Sequence, residues 1–340
     1  MLYIFDSLCL NRDAGGVLQF TASLISGFDQ LGVGTRKSLD YSPATKRFGR
    51  FFHEIAVASM LKDASAQCIF PNYFLPPLLN RRIASKSIVV IHDFQYKYLP
   101  EFFSKKKRVW LDLSLRRAHE NAGAIVCISE ATRNDYVKFL GNRDNLFVVN
   151  NPVSVGDVEN SDLPSLSFER YLIANCHFYP HKNFEGVIDL YLKMKVAGYR
   201  GKLVLTGGGR DKYIDFISTK FSEVTDEIIH LGYLPQRQLR ALQANADALL
   251  SLSRFEGFNL PAAECAVLGV PLILSDIPVH RELFPDSMFV SEYLQDVNAL
   301  IRKIDSFDIS AVRTSVLRQR WDPKEIALAY QEILNKLRFN

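Results

Sequence analysis

The sequence lacks the patterns that mark several common classes of protein. No apolar run approaches the roughly 18–20 residues that a helix needs to cross a bilayer. The first six residues have the pattern of a strand, without the basic region of a secretory signal. The five cysteines are odd in number and never in Cys-x-x-Cys spacing, which disfavours a disulfide framework or a zinc site. They are Cys9, Cys68, Cys127, Cys176 and Cys265. We therefore expect a cytoplasmic protein, for which any contact with the inner face of the plasma membrane is peripheral.

A strong charge imbalance is also missing. The net charge is only +4 at pH 7 over 340 residues, and no nucleic-acid recognition motif is present, so a nucleic-acid partner is not expected. The basic excess falls in the N-terminal half, where it indicates either an anionic acceptor or membrane surface, or an ordinary solvated surface.

The sequence also lacks a dinucleotide-binding fingerprint. The glycine run 207–209 has Lys212 where Gly-x-Gly-x-x-Gly requires a third glycine, which disfavours a dehydrogenase.

What the sequence does contain is an alternation of apolar β-branched runs and amphipathic segments. With 340 residues, 48% of them hydrophobic, the chain can form two domains, each with its own core. The predicted strands are 2–5, 88–91, 124–128, 146–149, 171–175, 202–206, 227–231, 248–253 and 271–275. The predicted helices are 16–30, 105–121, 130–140, 183–197, 211–221, 235–245, 261–268 and 323–337. This alternation predicts an α/β protein with parallel sheets.

Residues 153–167 interrupt the alternation with Pro, Ser, Asp and Gly and are the best candidate for a linker. We expect an N-terminal domain over residues 1–152 and a C-terminal domain over residues 168–322. A last helix within residues 323–340 is expected to pack back on the N-terminal domain. Ligands of parallel sheets bind beyond the carboxyl ends of the strands, so two facing halves predict one substrate in the cleft between them.

The most informative segment is 253–271, SRFEGFNLPAAECAVLGVP. Glu256 follows an apolar strand at a glycine-containing turn, and Glu264 lies one to two turns into the next helix. Pro261 stands in the first turn of that helix, where a missing N–H has no cost. A helix N-terminus with free backbone N–H groups binds polyanions. The arrangement predicts a site for a nucleotide-sugar, with its diphosphate on the amides and its hydroxyls on the two carboxylates.

The segment Glu256-Gly-Phe-Asn-Leu-Pro, followed by Glu264, Gly269-Val-Pro and Ser275-Asp-Ile-Pro, resembles a known signature. It is the E-x7-E motif of retaining GT-B glycosyltransferases, the glycogen-synthase-like family 4 group. Two glutamates eight positions apart are common by chance, but the surrounding glycine and proline motifs are not. The resemblance implies a GT-B fold, in which two Rossmann-like α/β domains with parallel sheets face each other across a cleft.

The N-terminal half carries further motifs that resemble this family. Gly15 and Gly16, followed by a helix, match the family's glycine loop, where missing side chains let the backbone approach a phosphate. His92 ends a strand in an Ile-His-Asp-Phe segment. In the family this position lies near the donor sugar, whereas a lone histidine at a strand end is otherwise structural. Ser129 opens a Ser-Glu-Ala-Thr segment that matches a family helix start, with Ser129 as the N-cap.

The segment 176–183, CHFYPHKN, resembles the first βα loop of the family's nucleotide domain. The resemblance assigns Lys182 to the donor diphosphate, which gains about one negative charge as it departs, so that a fixed ammonium stabilises the transition state. Many relatives carry an arginine five residues before this lysine, where this chain has His177. The second phosphate contact is then either His177 or Arg210, and Arg210 is equally interpretable as a surface residue.

The resemblance also implies how the rest of the donor is held. The loop with Tyr233 and Leu234 meets the nucleobase through backbone groups, Glu264 binds the ribose hydroxyls and Glu256 binds the donor sugar. The backbone amides that face sugar and phosphate belong to Gly257, Phe258, Asn259 and Leu260. The implied catalytic residues are His92, Glu256 and Lys182. Because no Asp-x-Asp pair occurs in the chain, we expect no metal and no other cofactor.

The acceptor side carries two segments that mix cations with aromatic residues: 46–53, KRFGRFFH, and 102–110, FFSKKKRVW, the second followed by Arg116 and Arg117. This composition suits an anionic bilayer surface or a lipid-diphosphate acceptor. Both segments are equally consistent with ordinary amphipathic helices whose long cations cover apolar surface.

The resemblance to family 4 therefore implies a retaining, metal-independent hexosyltransferase of bacterial surface-polysaccharide or lipopolysaccharide biosynthesis. The first guess for the donor is GDP-mannose, and the expected acceptor is a glycan or lipid-linked glycan. No side chain is an obvious covalent nucleophile. Two other hypotheses remain: a nucleotide-sugar 2-epimerase and a non-catalytic GT-B scaffold. The E-x7-E segment and Lys182 favour transfer, while His177 in place of arginine favours the scaffold.

Overall fold

The computed structural model describes residues 2–5, 15–37, 49–63, 66–72, 75, 79–175, 178–221, 226–291, 296–308 and 314–337. The predictions for His177 and residues 46–48 lie outside these ranges, and so do Cys9, Cys176 and the side chain of Arg210. The chain forms two compact units. The first consists of Met1–Ser154 and Gln319–Asn340, and the second of Val155–Arg318.

The first unit is built on a six-stranded sheet in which every neighbouring pair of strands is parallel. Its strands are β1 (Leu2–Phe5), β2 (Thr35–Lys37), β3 (Ala66–Phe70), β4 (Ser87–Ile91), β5 (Ala124–Cys127) and β6 (Leu146–Val148). Its helices are α1 (Gly16–Gln30), α2 (Gly49–Met60), α3 (Arg81–Ala84), α4 (Gln95–Tyr98), α5 (Lys105–Asn121) and α6 (Glu130–Leu140). The strand order is β2-β1-β3-β4-β5-β6. Strands β3, β4 and β5 are buried along their whole length and form the centre of the core.

The second unit contains another six-stranded parallel sheet. Its strands are β7 (Tyr171–Asn175), β8 (Lys202–Thr206), β9 (Ile228–Gly232), β10 (Ala248–Ser251), β11 (Leu272–Ser275) and β12 (Met288–Val290). Its helices are α7 (Phe184–Val196), α8 (Arg210–Lys220), α9 (Gln236–Ala244), α10 (Leu260–Leu268), α11 (Pro278–Leu283) and α12 (Val297–Asp305). The order β12-β11-β10-β7-β8-β9 is the strand order of doubly wound dinucleotide-binding domains. The winding reverses between β7 and β10, the place where such sheets bind ligands.

The chain returns to the first unit through α13 (Thr314–Arg320) and ends in α14 (Pro323–Lys336). Trp321, fully buried, stands between these helices, and its carbonyl accepts a hydrogen bond from the backbone N–H of Val153 at 2.8 Å. Helix α14 packs along α1. At its far end the buried side chain of Gln67 donates to the carbonyl of Leu334 at 2.6 Å. The last helix is therefore an integral part of the first unit.

The prediction of an α/β fold with parallel sheets is confirmed, but the sequence missed three strands, β2, β3 and β12. Two of them are only three residues long, and β3 contains Gln67, which interrupts its apolar pattern. The strand predicted at 248–253 ends at Ser251, because the pairing with β11 ends there, at Ser251 opposite Leu274. No helix within the described ranges combines the length and apolar composition needed to span a bilayer.

Candidate active site

The candidate site of the second unit lies at the reversal point between β7 and β10. After β7 the chain makes a short 3-10 turn, Pro180–Lys182, before α7 begins. After β10 the chain runs through residues 252–259 before α10 begins. The two connections meet where the N–H of Arg254 donates to the carbonyl of His181 at 2.7 Å. The fold thus brings together the two segments in which the sequence predicted the phosphate-binding and sugar-binding residues.

Lys182 and Glu256 form a direct ion pair, with Nζ of the lysine 2.6 Å from Oε1 of the glutamate. Both side chains are mostly buried. Burial alone would raise the pKa of Glu256, but the Lys182 ammonium, its hydrogen bond and a further hydrogen bond from Ser253 bring that pKa below its ordinary value. Glu256 is therefore ionised at neutral pH and able to accept hydrogen bonds from hydroxyl groups.

Glu264 lies on α10 and is buried, 8% exposed. Its Oε2 accepts a hydrogen bond from Nε2 of Gln243, a fully buried residue of α9, at 3.0 Å. Burial raises the pKa of Glu264, and the bond from Gln243 and the charge of Arg240 offset only part of that rise. The two glutamates of the motif therefore differ in electrostatics: one is held ionised by a lysine and the other is neutralised more readily.

The start of α10 is fixed by Asn259, which has a left-handed backbone with φ of 72° and serves as the N-cap. Its Oδ1 accepts the N–H of Ala262 at 3.3 Å. Pro261 follows at the second helical position, as the sequence predicted. The side chain of Phe258 is buried in the unit, so that residue can offer a ligand only its backbone.

The predicted nucleobase loop follows β9. Gly232 turns the chain with φ of 71°, and Tyr233 follows with a side chain that is 62% exposed, next to a half-buried Leu234. The N–H of Gly207 donates to the carbonyl of Gly232 at 2.9 Å, which joins this loop to the glycine run after β8. Arg210 opens α8 directly after that run. The predicted base-binding and phosphate-binding loops thus leave the same edge of the sheet.

His92, Gly15 and Gly16 belong to the first unit. His92 follows β4 and is buried against the edge of the Phe20 ring, with ring centroids 5.0 Å apart. Its Nε2 lies 2.6 Å from the carbonyl oxygen of Pro71, and because a carbonyl only accepts, Nε2 carries the hydrogen. Burial lowers the pKa of His92 to about 4 against a smaller opposing effect of the Pro71 bond. At neutral pH His92 is an uncharged imidazole.

Gly15 precedes α1 with φ of 139°, a conformation that side-chain-bearing residues rarely adopt, and Gly16 is the first residue of the helix. A Cβ built on Gly15 would meet no atom within 4 Å among the residues that the structure describes. The predicted N-cap at Ser129 is confirmed: its Oγ accepts the N–H of Thr132 at 3.1 Å at the start of α6.

Sequence reasoning missed several residues that hold the site. Gln243, which binds Glu264, and Ser253, which binds Glu256, carry no motif of their own. His280 is fully buried in α11 and contacts the N-cap Asn259. In the sequence, the only sign of His280 was a histidine five residues after Ser275, within a segment otherwise rich in recognisable motifs.

A cavity of about 650 Å³ adjoins these segments on the α7 side of the sheet. Its walls come from α7 and from the carboxyl ends of β10, β11 and β12. The lining residues are Asn183, Gly186, Asp189, Leu190, Lys193, Leu252, Ser253, Arg254, Ser275, Asp276, Ile277, Val290 and Ser291. Lys182, Glu256 and Glu264 are not among them, so the cavity lies beside the predicted donor contacts.

Solved structures share this fold over the whole chain. Anabaena HepE, solved in complex with UDP and glucose, matches with a TM-score of 0.68 at 14% identity, covering 98% of this chain and 99% of that one. Sucrose-phosphate synthase from Thermosynechococcus elongatus matches with a TM-score of 0.69 at 15% identity, covering 99% and 98%. Two doubly wound α/β domains with these neighbours define the GT-B class of fold.

Two family models match consecutive parts of the chain. The model described as "Glycosyltransferase Family 4" matches residues 20–156, and "Glycosyl transferases group 1" matches residues 165–313. The two matches fall in the first and second units and together cover most of the sequence. The chain belongs to the family 4 glycosyltransferases and is an enzyme of that type.

Curated relatives come from bacterial O-antigen biosynthesis. The chain is 24% identical to O-antigen chain mannosyltransferase B of Escherichia coli over 272 residues, 76% of this chain and 67% of that protein. It is 23% identical to O-antigen chain mannosyltransferase RfbU of Salmonella typhimurium over 231 residues, 67% of this chain and 62% of that protein. The chain thus spans about two thirds of the length of these relatives.

Proposed function

We propose that this enzyme transfers a hexose from a nucleoside-diphosphate sugar to a glycan or lipid-linked glycan of a bacterial surface polysaccharide, with retention of anomeric configuration and without a metal. The observation that carries the proposal is the Lys182–Glu256 ion pair at the reversal point of a nucleotide-type sheet, with the buried Glu264 on the helix α10 that follows. Mannose is the proposed sugar, since two relatives are named mannosyltransferases. GDP-mannose is the first donor to test, and UDP-sugars follow because HepE was solved with UDP.

The ion pair suits a site that receives an anion. A diphosphate that approaches Lys182 competes with Glu256 for the ammonium, because both are anions within reach of one cation. Once the lysine turns to the diphosphate, Glu256 is released to accept hydrogen bonds from the sugar hydroxyls. Glu264, held by Gln243, would bind the ribose, while Tyr233 and Leu234 would present backbone groups to the base.

In the proposed reaction the bond between the anomeric carbon and the diphosphate oxygen breaks, and a bond from the acceptor oxygen forms on the same face. Because the acceptor oxygen itself attacks the anomeric carbon, no protein nucleophile is needed. The acceptor proton passes to the departing diphosphate, so no protein base is needed either. Lys182 stabilises the charge that grows on the leaving group, which is the largest kind of contribution such a site makes. The backbone amides of residues 257–260 and either His177 or Arg210 would add to it. His92, an uncharged imidazole, can contribute a hydrogen bond but no positive charge.

The test is release of nucleoside diphosphate from GDP-, UDP-, dTDP- and ADP-sugars, with and without a lipid-linked glycan extract and with and without EDTA. We expect acceptor-dependent release from one donor, unaffected by EDTA and lost in Glu264→Ala. Glu332→Ala, which replaces an exposed glutamate of α14, is the matched control.

Analysis of the anomeric configuration of the product tests whether transfer proceeds with retention. Release without acceptor, yielding an isomerised sugar, would indicate the epimerase, and nucleotide binding without turnover would indicate the scaffold.

We also propose that helix α5 contacts an anionic membrane surface. Its outer face exposes Val109 (59%), Trp110 (39%) and Leu113 (62%) in one apolar group. Lys105 and Lys106 lie exposed at one end of this group and Arg116 at the other. Apolar residues flanked by cations fit the interface of a bilayer that carries anionic lipids. Of the other basic segment, residues 49–53 begin α2, and their side chains lie outside the described part of the structure.

Vesicle sedimentation tests this contact. We expect binding to phosphatidylglycerol-containing vesicles, weak binding to phosphatidylcholine alone, and loss of binding in Val109→Ser/Leu113→Ser and in Lys105→Glu/Lys106→Glu. The matched controls lie on the second unit. Val196→Ser replaces a valine that is 92% exposed, and Lys303→Glu reverses the charge of an exposed lysine. Equal binding to both vesicle types, or unchanged binding in the α5 variants, would rule the proposal out.

A further inference from the structure

His280 is a fully buried titratable residue that the proposed reaction does not use. It lies in α11, and its two ring nitrogens have different partners. Nε2 is 2.9 Å from the side-chain nitrogen of Asn259, and Nδ1 is 2.9 Å from the carbonyl oxygen of Ser275. An amide nitrogen only donates and a carbonyl only accepts, so Nε2 must be bare and Nδ1 must carry the hydrogen. The two contacts together select one neutral tautomer.

The orientation of the Asn259 amide is fixed independently of His280. Its Oδ1 faces the backbone N–H of Ala262, which only donates, so the other end of the group must be the nitrogen. That nitrogen donates both to Nε2 of His280 and to Oγ of Ser251, at 2.9 Å each. Every polar atom of the Asn259 side chain is therefore engaged, and His280 accepts one of its two hydrogens.

These bonds hold the far end of the segment that carries Glu256. Asn259 has a left-handed backbone, which costs energy for a residue with a side chain and persists only where surrounding contacts enforce it. The near end of the segment is held by the same neighbours. Oγ of Ser275 donates to the carbonyl of Ser253 at 2.5 Å and lies 3.2 Å from Nδ1 of His280. Residues 254–258 are thus clamped at both ends by Ser275 and His280.

We propose that His280 is a positioning residue for sugar transfer: as the Nδ1–H tautomer, it fixes Asn259 and thereby places Glu256 against Lys182 and the donor sugar. This inference rests on the proposed function of Glu256. Misplacement of a reacting group by about 1 Å costs up to about 100-fold in rate. The effect of His280 should therefore appear in kcat. The nucleoside end of the donor, at Glu264 and the β9 loop, should be bound as before.

The geometry also makes the clamp dependent on pH. Protonation of His280 puts a second N–H on Nε2, directly opposite the N–H group of Asn259, and removes the bond. Burial lowers the pKa of His280, the Ser275 carbonyl and Glu256 oppose that effect, and Lys182 adds to it. Among the described residues, Glu256 and Lys182 are the charged groups whose fields act on the ring. Asp276 and Arg281 pair with each other on the surface. A lowered pKa keeps the clamp intact at neutral pH, with loss only as the pH falls below the ordinary value of about 6.5.

Two substitutions test the roles of the two ring nitrogens of His280 separately. His280→Gln places an acceptor near the position of Nε2, and His280→Asn places polar atoms only near the position of Nδ1. For the donor and acceptor that support release by the wild type, we expect His280→Gln to keep kcat within about 3-fold. His280→Asn should lose about 10-fold to 100-fold, with the Kd of the nucleoside diphosphate within about 2-fold for both. His119→Gln and His119→Asn, at a half-buried histidine of the first unit bonded to Tyr136, are the controls.

The pH profile distinguishes positioning from a structural role. The acid limb of the wild-type kcat profile should shift in His280→Gln, which has no imidazole to protonate at this place. Equal loss of kcat in the Gln and Asn variants, in step with loss of thermal stability, would overturn the proposal. So would an unchanged kcat in a folded, nucleotide-binding His280→Asn protein.

A measurement on the unsubstituted protein tests the clamp even if the variants do not fold. In the full-length protein labelled with 15N-histidine, the His280 ring should show a protonated Nδ1 and a bare Nε2 at pH 7.5. The opposite tautomer would disprove the clamp. Absence of transfer by the wild type with every donor would instead refute the proposed function, while the tautomer measurement would still decide on the clamp.

Discussion

Lys182 and Glu256 are 74 positions apart in the sequence, yet their charged groups meet at 2.6 Å between the first connection and the fourth connection of one sheet. The pair is mostly buried, where an ion pair is stabilising only if its geometry and hydrogen bonds are good. Ser253 supplies a further hydrogen bond to the glutamate. The proposed donor diphosphate would compete with Glu256 for Lys182, so the pair would link anion binding to the release of the carboxylate that is proposed to bind the sugar.

Removing the charge of Glu256 should separate binding from transfer. In Glu256→Gln, Lys182 loses its internal anion and becomes more available to a diphosphate. We expect the Kd of the nucleoside diphosphate to fall by a few fold, while kcat falls by about 100-fold because the sugar loses its ionic acceptor. Isothermal titration calorimetry and the release assay measure the two effects. Glu185→Gln, an exposed glutamate paired with Lys220, should change neither. Weaker nucleotide binding in Glu256→Gln would contradict the competition between Glu256 and the diphosphate.

The pH dependence of nucleoside binding should follow Glu264. Burial raises its pKa, so this carboxyl takes up a proton at a higher pH than an ordinary glutamate and then no longer accepts two ribose hydroxyls. The affinity for a nucleoside diphosphate should therefore decline as the pH falls toward and through the raised pKa. Calorimetric titrations between pH 5 and pH 8 would show the decline in the wild type. Glu264→Gln should bind more weakly and lack that component of the pH dependence.

Replacing Gln243 provides an independent check on the same carboxylate. Gln243→Leu removes the hydrogen bond that favours the ionised form of Glu264, so the pKa of Glu264 should rise further. The pH midpoint of nucleotide binding should move upward, with the affinity at high pH less affected than the affinity at pH 6. An unmoved midpoint would show that Gln243 does not act through the Glu264 carboxylate.

His92 should resist protonation. Its pKa is lowered to about 4 by burial, so the unfolded chain, with an ordinary histidine pKa of 6.5, binds a proton that the folded unit does not. Stability is therefore lost as the pH falls from about 6.5 toward 4, by an amount on the order of 3 kcal/mol. NMR titration of the His92 ring measures the pKa directly. His92→Gln should flatten the dependence of the melting temperature on pH, and a ring pKa near 6.5 would contradict the expectation.

The sequence predicted the continuous apolar strands well and the tertiary contacts poorly. Strands β7 and β8 were located at both ends, because strands of a parallel sheet that are buried over nearly their whole length are nearly continuous apolar runs. Strand β3 was missed because Gln67 breaks its pattern. The buried Nε2 of Gln67 donates to the carbonyl of Leu334, 267 residues away, and the local sequence gives no indication of such a partner.

The candidate site shows the same division. The motifs around Glu256, Glu264 and Lys182 indicated that all three belong to one site, and the structure places Glu256 and Lys182 in direct contact. The motifs gave no indication of the residues that hold these three side chains in place. The tautomer of His280, the left-handed backbone of Asn259 and the bond from Gln243 to Glu264 arise from packing between elements that are distant in sequence. Such contacts cannot be predicted from the composition of the chain or from the spacing of its motifs.

The contact between α1 and α14 offers a test of the first unit alone. A Cβ placed on Gly27 of α1 would lie 2.0 Å from the carbonyl oxygen of Pro323, a backbone atom at the start of α14. In an exposed helix, glycine to alanine stabilises by about 1 kcal/mol. At Gly27 the helices must move apart, so we expect Gly27→Ala to destabilise the unit by about 1–3 kcal/mol. Ser26→Ala, at the exposed neighbouring position, should leave stability nearly unchanged.

Trp321 reports on this contact because it is fully buried directly before α14. The chain has two tryptophans, so unfolding should be followed by fluorescence in a Trp110→Phe background. Gly27→Ala should lower the urea midpoint of the Trp321 signal, since separation of α14 from α1 exposes its surroundings. A midpoint equal to that of Ser26→Ala would mean that α14 can shift away from Gly27 without loss, and that the close approach of the two helices contributes little to the stability of the first unit.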